Sequence, residues 1–182
     1  LEKIYQMSAI IAGGEDTSVV VRNTHGSPDR AFADTGLSLS PSGDPAHSVN
    51  HEMYAPAFYN RYYNWSSIIK VMNTRYDADT VLLKLVGRPG YSDHNRYYSI
   101  PSNGMVTVTS AEIFGTSSWV GSVKVQGSHN LAVKLEESHI YYNYSRSYNA
   151  LAAGSTTLYL PSAYKNRWGL TSGVVVQNID SN

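Results

Sequence analysis

The chain has 182 residues, enough for one ordinary domain whose core needs no metal or disulfide to hold it together. Its 14 Lys and Arg residues balance 14 Asp and Glu residues, and this zero net charge argues against a nucleic-acid or anionic-membrane binder, which normally carries a basic surplus. The absence of cysteine excludes disulfides and thiolate chemistry, and no apolar run approaches the roughly 20 residues that a membrane-spanning helix needs.

The beginning of the chain gives a weak structural signal. It starts at Leu1 without a visible signal peptide, so we expect a processed product or a fragment. Residues 1–12 are the best helical candidate, but they lack a clear N-cap and also fit a strand. We find no convincing amphipathic helix longer than about two turns.

Alternation with a period of two is the main signal further along. Four short stretches each place a lysine between apolar residues, and they centre on Lys70, Lys84, Lys124 and Lys134. Because neighbouring side chains in a strand point to opposite faces, each lysine faces water while its apolar neighbours face inward. A register slip of one residue would bury all four lysines, so the pattern predicts four strands of fixed register.

Turn residues separate the alternating runs. They lie at residues 87–90, 103–104 and 127–130. The Asn-Gly pair at 103–104 opens a further run at residues 105–109, with Val106 and Val108 facing inward. Short strands at spacings of about ten residues, with turns between them, predict an all-β antiparallel sandwich or barrel.

The sequence also repeats itself. Residues 53–73 align without gaps to residues 158–178, an offset of 105 positions. The identical pairs are Tyr54 and Tyr159, Pro56 and Pro161, Tyr59 and Tyr164, Ser67 and Ser172, Val71 and Val176, and Asn73 and Asn178. A weaker copy with one gap covers residues 4–23. The repeat predicts a shortened or divergent unit at 1–53, a complete β-sandwich unit at 54–158, and the first strands of a further unit at 159–182.

The last of these units is incomplete, and its strands require a partner that residues 159–182 do not supply. Val174 and Val176 match core-facing strand positions, and full burial would contribute about 1.5–3 kcal/mol each. Left alone, such a strand exposes unpaired backbone groups and an apolar face. We expect it to be covered by the rest of a longer protein, by the first segment of this chain, or by a second copy of the chain.

Several segments together carry a family resemblance. They are YLPSAYKNRWGLTSGVVVQN at residues 159–178, IPSNGMVTV, WVGSVKVQG, LAVKLEE and YNAL. This series resembles tandem immunoglobulin-like β-sandwich repeats of large secreted or cell-surface proteins of filamentous bacteria, although Met72 stands where those repeats usually have glutamine. The resemblance implies an extracellular β-sandwich array that has no catalytic residues.

Motifs for catalysis or metal binding are absent from the sequence. No serine lies in a nucleophile elbow, and no glycine-rich loop has the strand–loop–helix setting that phosphate binding needs. His47 and His51 have a spacing that aligns ligands only on a helix, whereas Pro45 and its surroundings indicate a loop. The acidic residues that lack calcium-loop spacing are Asp77, Asp79, Asp93 and Glu112. We therefore predict neither an enzyme nor a cofactor or metal site.

Aromatic clusters and two sequons remain as candidate binding or modification sites. The candidate sugar-stacking residues are Tyr62, Tyr63, Trp65 and Trp119. Aromatic pairing across strands or between subunits is the alternative interpretation of such clusters. Asn64 and Asn143 each begin an Asn-x-Ser sequon and are candidate glycosylation sites.

The sequence as a whole predicts an extracellular structural or adhesive protein of the cell surface. We expect it to assemble with copies of itself, head to tail, by donating strands from residues 157–182, and an open arrangement of this kind produces a filament. The expected assembly residues are Leu158, Tyr159, Leu160, Trp168, Val174 and Val176. A glycan-binding surface module is the alternative, and a passive spacer fragment is a third interpretation; neither nucleic acid nor membrane insertion is expected.

Overall fold

The structure is a computed structural model that describes residues 20–25, 30–35, 52–142, 144–155, 157, 165 and 173–179, the first two ranges as backbone only. Its strands are β1 (Val20–His25), β2 (Arg30–Thr35), β3 (Glu52–Tyr62), β4 (Trp65–Asn73), β5 (Asp79–Gly87), β6 (His94–Ile100), β7 (Met105–Thr109), β8 (Trp119–Gln126), β9 (Leu131–His139) and β10 (Ser145–Asn149). The helix α1 is Ser110–Phe114.

Strands β3 to β10 form one antiparallel hydrogen-bonded network that folds into two layers. One layer has the order β10-β9-β4-β7, and the other has the order β3-β8-β5-β6. The β3–β4 hairpin joins them, because β3 pairs with β4 only near the turn, at Asn60 and Tyr62, and with β8 along most of its length. The predicted all-β sandwich is confirmed at this level.

The strand order shares its inner pairs with the immunoglobulin fold. Counting β3 as the first strand, the pairs β4–β7 and β5–β8 correspond to B–E and C–F of the ABED and CFG sheets. The outer strands differ, because β3 lies beside β8 and β9 lies beside β4. The fourth strand also differs, because β6 lies beside β5, so the first, fourth and seventh strands lie in the opposite layers from those that they occupy in an immunoglobulin domain.

The alternation around the four lysines is confirmed. Their apolar neighbours are all 0% exposed: Ile69, Val71, Leu83, Leu85, Val123, Val125, Val133 and Leu135. The core between the layers is completed by Met53, Ala55, Phe58, Val81, Ile100, Val108, Ile113, Trp119, Leu131 and Ala150. The register that the sequence specified is thus the register of the fold.

The outward lysines face one another across the strands. Lys70 lies directly opposite Lys134, and Lys84 lies directly opposite Lys124. Because like charges in such positions repel, each pair needs a compensating carboxylate. Glu136 Oε1 lies 2.7 Å from Lys70 Nζ and 3.4 Å from Lys134 Nζ, which offsets the repulsion of the first pair.

Helix α1 was not predicted, although its start is marked in the sequence. Thr109 Oγ1 accepts a hydrogen bond from the backbone N–H of Glu112 at 3.2 Å, and Glu112 Oε2 accepts one from the backbone N–H of Thr109 at 2.9 Å. This reciprocal pair is a capping box, whose signature is Ser or Thr followed three residues later by Glu or Gln.

The first predicted unit contains the β1–β2 hairpin, in which Val20 lies opposite Thr35. The candidate helix at 1–12 and the two histidines at 47 and 51 lie outside the described residues. Within the described ranges, no helix combines the length and the apolar character needed to cross a membrane.

Candidate functional site

An aromatic surface lies at the β3–β4 turn. Tyr63 and Asn64 occupy the two turn positions with φ of 46° and 64°, the left-handed region that a type I′ hairpin turn requires. Asn tolerates this conformation well, whereas a tyrosine there costs about 1–2 kcal/mol. The turn holds Tyr63 77% exposed, with the Tyr62 ring 4.6 Å away and edge-on to it.

The β9–β10 loop adds aromatic side chains to the same end of the sandwich. The backbone N–H of Ile140 donates to Asn64 O at 2.7 Å, which ties this loop to the β3–β4 turn. His139 Nδ1 accepts the backbone N–H groups of Tyr141 and Tyr142, and the His139 ring lies 5.4 Å from Trp65. We name the resulting surface the aromatic patch, which comprises Tyr59, Tyr62, Tyr63, Trp65, His139, Tyr142 and Tyr144.

Arg146 in β10 connects the aromatic patch to a buried acid. Its guanidinium lies 4.9 Å from the Trp65 ring centroid and 5.6 Å from that of Tyr59. Its Nε donates to Glu137 Oε2. Glu137 is fully buried, and its other oxygen, Oε1, has no hydrogen-bond partner among the described residues. Burial raises the pKa of the Glu137 carboxyl, while the positive charge of Arg146 opposes the rise.

A shallow cleft of about 210 Å³ lies between β3 and β10. It is lined by Pro56, Ala57, Glu137, Arg146, Tyr148, Gly173 and Val175. The Tyr148 hydroxyl donates to Ala57 O at 2.6 Å and accepts the Ala57 N–H at 3.1 Å, so one side chain takes both backbone groups that a neighbouring strand would use. Pro56 has no N–H to offer. At Pro56 and Ala57 this edge of β3 is therefore closed to strand addition, and at Tyr54 it already pairs with Leu151.

Residues 173–179 lie against the sandwich without joining a sheet. We name this segment the tail. Gly173 and Val175 line the cleft, and a Cβ placed on Gly154 would lie 2.8 Å from Ile179 Cδ1, so Ile179 sits directly over that glycine. The exposed fractions of Val174, Val175 and Val176 are 58%, 47% and 75%, so the two valines that do not line the cleft are the more exposed.

The other expected assembly residues lie outside the described residues, namely Leu158, Tyr159, Leu160 and Trp168. The sequon residue Asn143 also lies outside them. The sequon residue Asn64 is exposed at the tip of its hairpin. Sequence reasoning did not single out Glu137, Arg146 or Tyr148, whose contacts join strands far apart in the chain.

Of the four predicted sugar-stacking residues, Tyr62, Tyr63 and Trp65 come together in the aromatic patch. The prediction for Trp119 is wrong. Trp119 is only 3% exposed, its ring stacks on Phe114 at 4.5 Å, and its Nε1–H donates to Ser92 O at 2.9 Å. The Trp119 ring is therefore part of the hydrophobic core, and the backbone carbonyl of Ser92 satisfies its single polar group.

Three of the four acidic residues weighed for calcium have local structural roles. Asp79 accepts hydrogen bonds from the hydroxyl and N–H of Ser128 and from the N–H of His129. Burial alone would raise the pKa of Asp79, but these hydrogen bonds together lower it. Asp93 accepts the N–H of Gly87 at 2.8 Å, and Glu112 caps α1. In the part of the chain that the structure describes, no group of three or more acidic or histidine side chains is placed to hold a metal ion.

The fold defines an all-antiparallel β-sandwich protein. No family model and no curated protein matches the chain. Among solved structures, it is similar to the crystal structure of Thermotoga maritima 1070, with a TM-score of 0.48 and 8% identity over 56% of this chain and 92% of that chain. A similarity of this size supports no statement about function.

Proposed function

We propose that the chain is an extracellular structural or adhesive protein that assembles with copies of itself through residues 157–182. A difference in burial between repeat-matched positions carries the proposal. Ile69 and Val71 in β4 are 0% exposed, whereas Val174 and Val176, which lie 105 positions later in the repeat, are 58% and 75% exposed. The same sequence pattern is thus buried in one repeat unit and exposed to solvent in the other.

The tail is more apolar than is typical of a strand that has one face exposed to solvent. Lys70, which faces water in β4, corresponds to Val175 in the tail. In a strand, three consecutive valines such as Val174, Val175 and Val176 place apolar side chains on both faces, which is the pattern of a strand that is covered on both sides. Burying the exposed parts of Val174 and Val176 would contribute about 2–4 kcal/mol before the cost of ordering the segment.

Such a segment suits a mechanical rather than a catalytic role. When an apolar segment on one surface of a chain binds a different surface of the next chain, the contact is head to tail. Such contacts produce filaments when the chains do not close into a ring. The extracellular location rests on the sequence resemblance to surface repeats and on the exposed sequon at Asn64.

Replacing both exposed valines with aspartate tests the proposal. Val174→Asp with Val176→Asp places two charges on the face that assembly would bury, so we expect loss of assembly with an unchanged thermal unfolding midpoint. The matched control is Val86→Asp, at a valine in β5 that is 38% exposed and lies outside the tail. Polymer seen by electron microscopy in equal amounts for both proteins would refute assembly through the tail.

The aromatic patch supports a second candidate, a glycan-binding surface module. Tyr63, Tyr142 and Tyr144 are 77%, 60% and 64% exposed at one end of the sandwich, and Trp65 lies among them under the Arg146 guanidinium. Exposed rings of this kind stack on apolar faces, while their polar groups remain hydrated. A glycan array with wild type, Trp65→Ala and the control Tyr97→Ala, an exposed tyrosine of β6, distinguishes the candidates: binding lost only in Trp65→Ala would favour this function.

A further inference from the structure

The tail has a defined seat on its own chain. Val175 and Gly173 line the cleft between β3 and β10, and Ile179 lies over Gly154 in the segment that follows β10. The tail therefore lies against the sandwich near both of its ends, although Val175 is 47% exposed. Val174 and Val176, between these ends, are 58% and 75% exposed.

Two buried polar atoms lack hydrogen bonds when the tail of the same chain lines the cleft. Within the part of the chain that the structure describes, Glu137 Oε1 is buried at the cleft without a hydrogen-bond partner, and so is Gln177 Oε1 in the tail. An unpartnered buried polar atom costs about 1–3 kcal/mol. Both atoms are oxygens that accept hydrogen bonds, so each lacks a donor that the tail of the same chain does not supply.

We infer that the cleft between β3 and β10 is the acceptor for the tail of a second copy, so that assembly proceeds by exchange of residues 173–179 between chains. This inference rests on the proposed function and names its acceptor surface. Exchange of an identical element between copies is a low-cost route to association, because the contacts broken within the chain are re-formed between chains. The donating copy then approaches the outward face of the tail, where it can cover Val174 and Val176.

The cleft accepts the tail through side chains rather than through backbone pairing. Tyr148 occupies both backbone groups of Ala57, and Pro56 has no N–H, so these two residues of β3 cannot hydrogen-bond to an added strand. The apolar rim and the buried Glu137 carboxyl are what remain for an incoming segment. Val175, which is 47% exposed, lines this rim in the structure, and we infer that an apolar peptide, the tail of another copy, is the occupant.

A disulfide between chains tests the exchange, since the protein has no cysteine of its own. Position 179 lies close to position 154: a Cβ at 154 would be 3.1 Å from Ile179 Cγ1, which is bonded to the Ile179 Cβ. Gly154→Cys and Ile179→Cys therefore come near the Cβ–Cβ distance of about 3.5–4.5 Å that a disulfide needs. The double variant, oxidised in dilute solution, is expected to form a disulfide within one chain.

The decisive sample mixes the two single variants, allows assembly, and then oxidises them. Exchange predicts a covalent two-chain product from Gly154→Cys with Ile179→Cys, and only background product from the control mixture of Gly154→Cys with Val176→Cys, a position that is 75% exposed. Thermal unfolding of each variant checks that the fold is kept.

Each outcome bears on the inference. Absence of the two-chain product while the full chain still assembles would overturn exchange and leave the proposed function standing with another acceptor. Absence of the disulfide within the dilute double variant would overturn the seat itself. Failure of the full chain to assemble under any condition would overturn the proposed function, and exchange with it.

Discussion

Replacing Val71 and, separately, Val176 with alanine applies one substitution to two matched positions of the internal repeat. Val71 is 0% exposed in β4, with Val106 of β7 and Val133 of β9 directly opposite. Removing its two methyl groups leaves a cavity between well-packed strands, and we expect a loss of about 2–3 kcal/mol in the free energy of unfolding. Val176 is 75% exposed, so the same change should cost about 0.5 kcal/mol or less.

Urea denaturation, at a dilution where the protein is a single chain, measures both values. We expect the midpoint to fall clearly for Val71→Ala and to stay near that of wild type for Val176→Ala, with similar slopes for all three proteins. At assembling concentrations only Val176→Ala should weaken assembly, because only this substitution removes apolar surface from the tail. Equal losses of stability in the dilute samples would show that Val176 is already covered in the single chain, and would refute the contrast in burial.

Two further predictions concern charged side chains of the sandwich. Glu136→Gln removes the carboxylate between Lys70 and Lys134, so we expect the free energy of unfolding to fall by about 1 kcal/mol at low salt and by less at high salt; an unchanged value at low salt would contradict the compensating role. For Asp79, the pKa in the folded protein lies below its ordinary value of 3.8, so the ionised carboxylate stabilises the fold above that pH and the stabilisation is lost as the pH falls through the folded pKa. Asp79→Asn should therefore show a smaller loss of stability than wild type between pH 6 and about pH 3 by urea denaturation, and equal losses would contradict the assignment.

Local patterning made the sandwich and its register predictable. The alternation around Lys70, Lys84, Lys124 and Lys134 depends only on the opposite orientation of neighbouring side chains in a strand, so it can be recognised without any knowledge of the partner strands. The capping box at Thr109 is equally local and was visible in the sequence, although a helix of five residues gives no periodic signal to draw attention to it.

Strand β3 shows where local patterning stops. Its alternation breaks at Ala57 and Phe58, which are both buried, and its register with β8 shifts between Ala55 and Phe58. A bulge of this kind inverts the inward and outward positions within one strand. Only the internal repeat, and not the period, marked this segment as a strand.

The candidate site depends on contacts between distant positions. Tyr148 closes the edge of β3 by binding Ala57, 91 residues earlier, and Arg146 reaches Tyr59, 87 residues earlier. Such pairs depend on which strands become neighbours, which periodicity within a strand does not specify. Trp119 was assigned to the surface for a related reason: an aromatic side chain at the start of a strand suits either face until the layer above it is known.

The central claim is that residues 157–182 join copies of the chain. Sedimentation velocity over a range of concentrations, with the full chain compared with a variant that ends at residue 156, tests it most directly. We predict that the mass of the full chain rises with concentration, whereas the shortened variant keeps the mass of a single chain and an unchanged thermal unfolding midpoint. A shortened variant that assembles as the full chain does would contradict the claim.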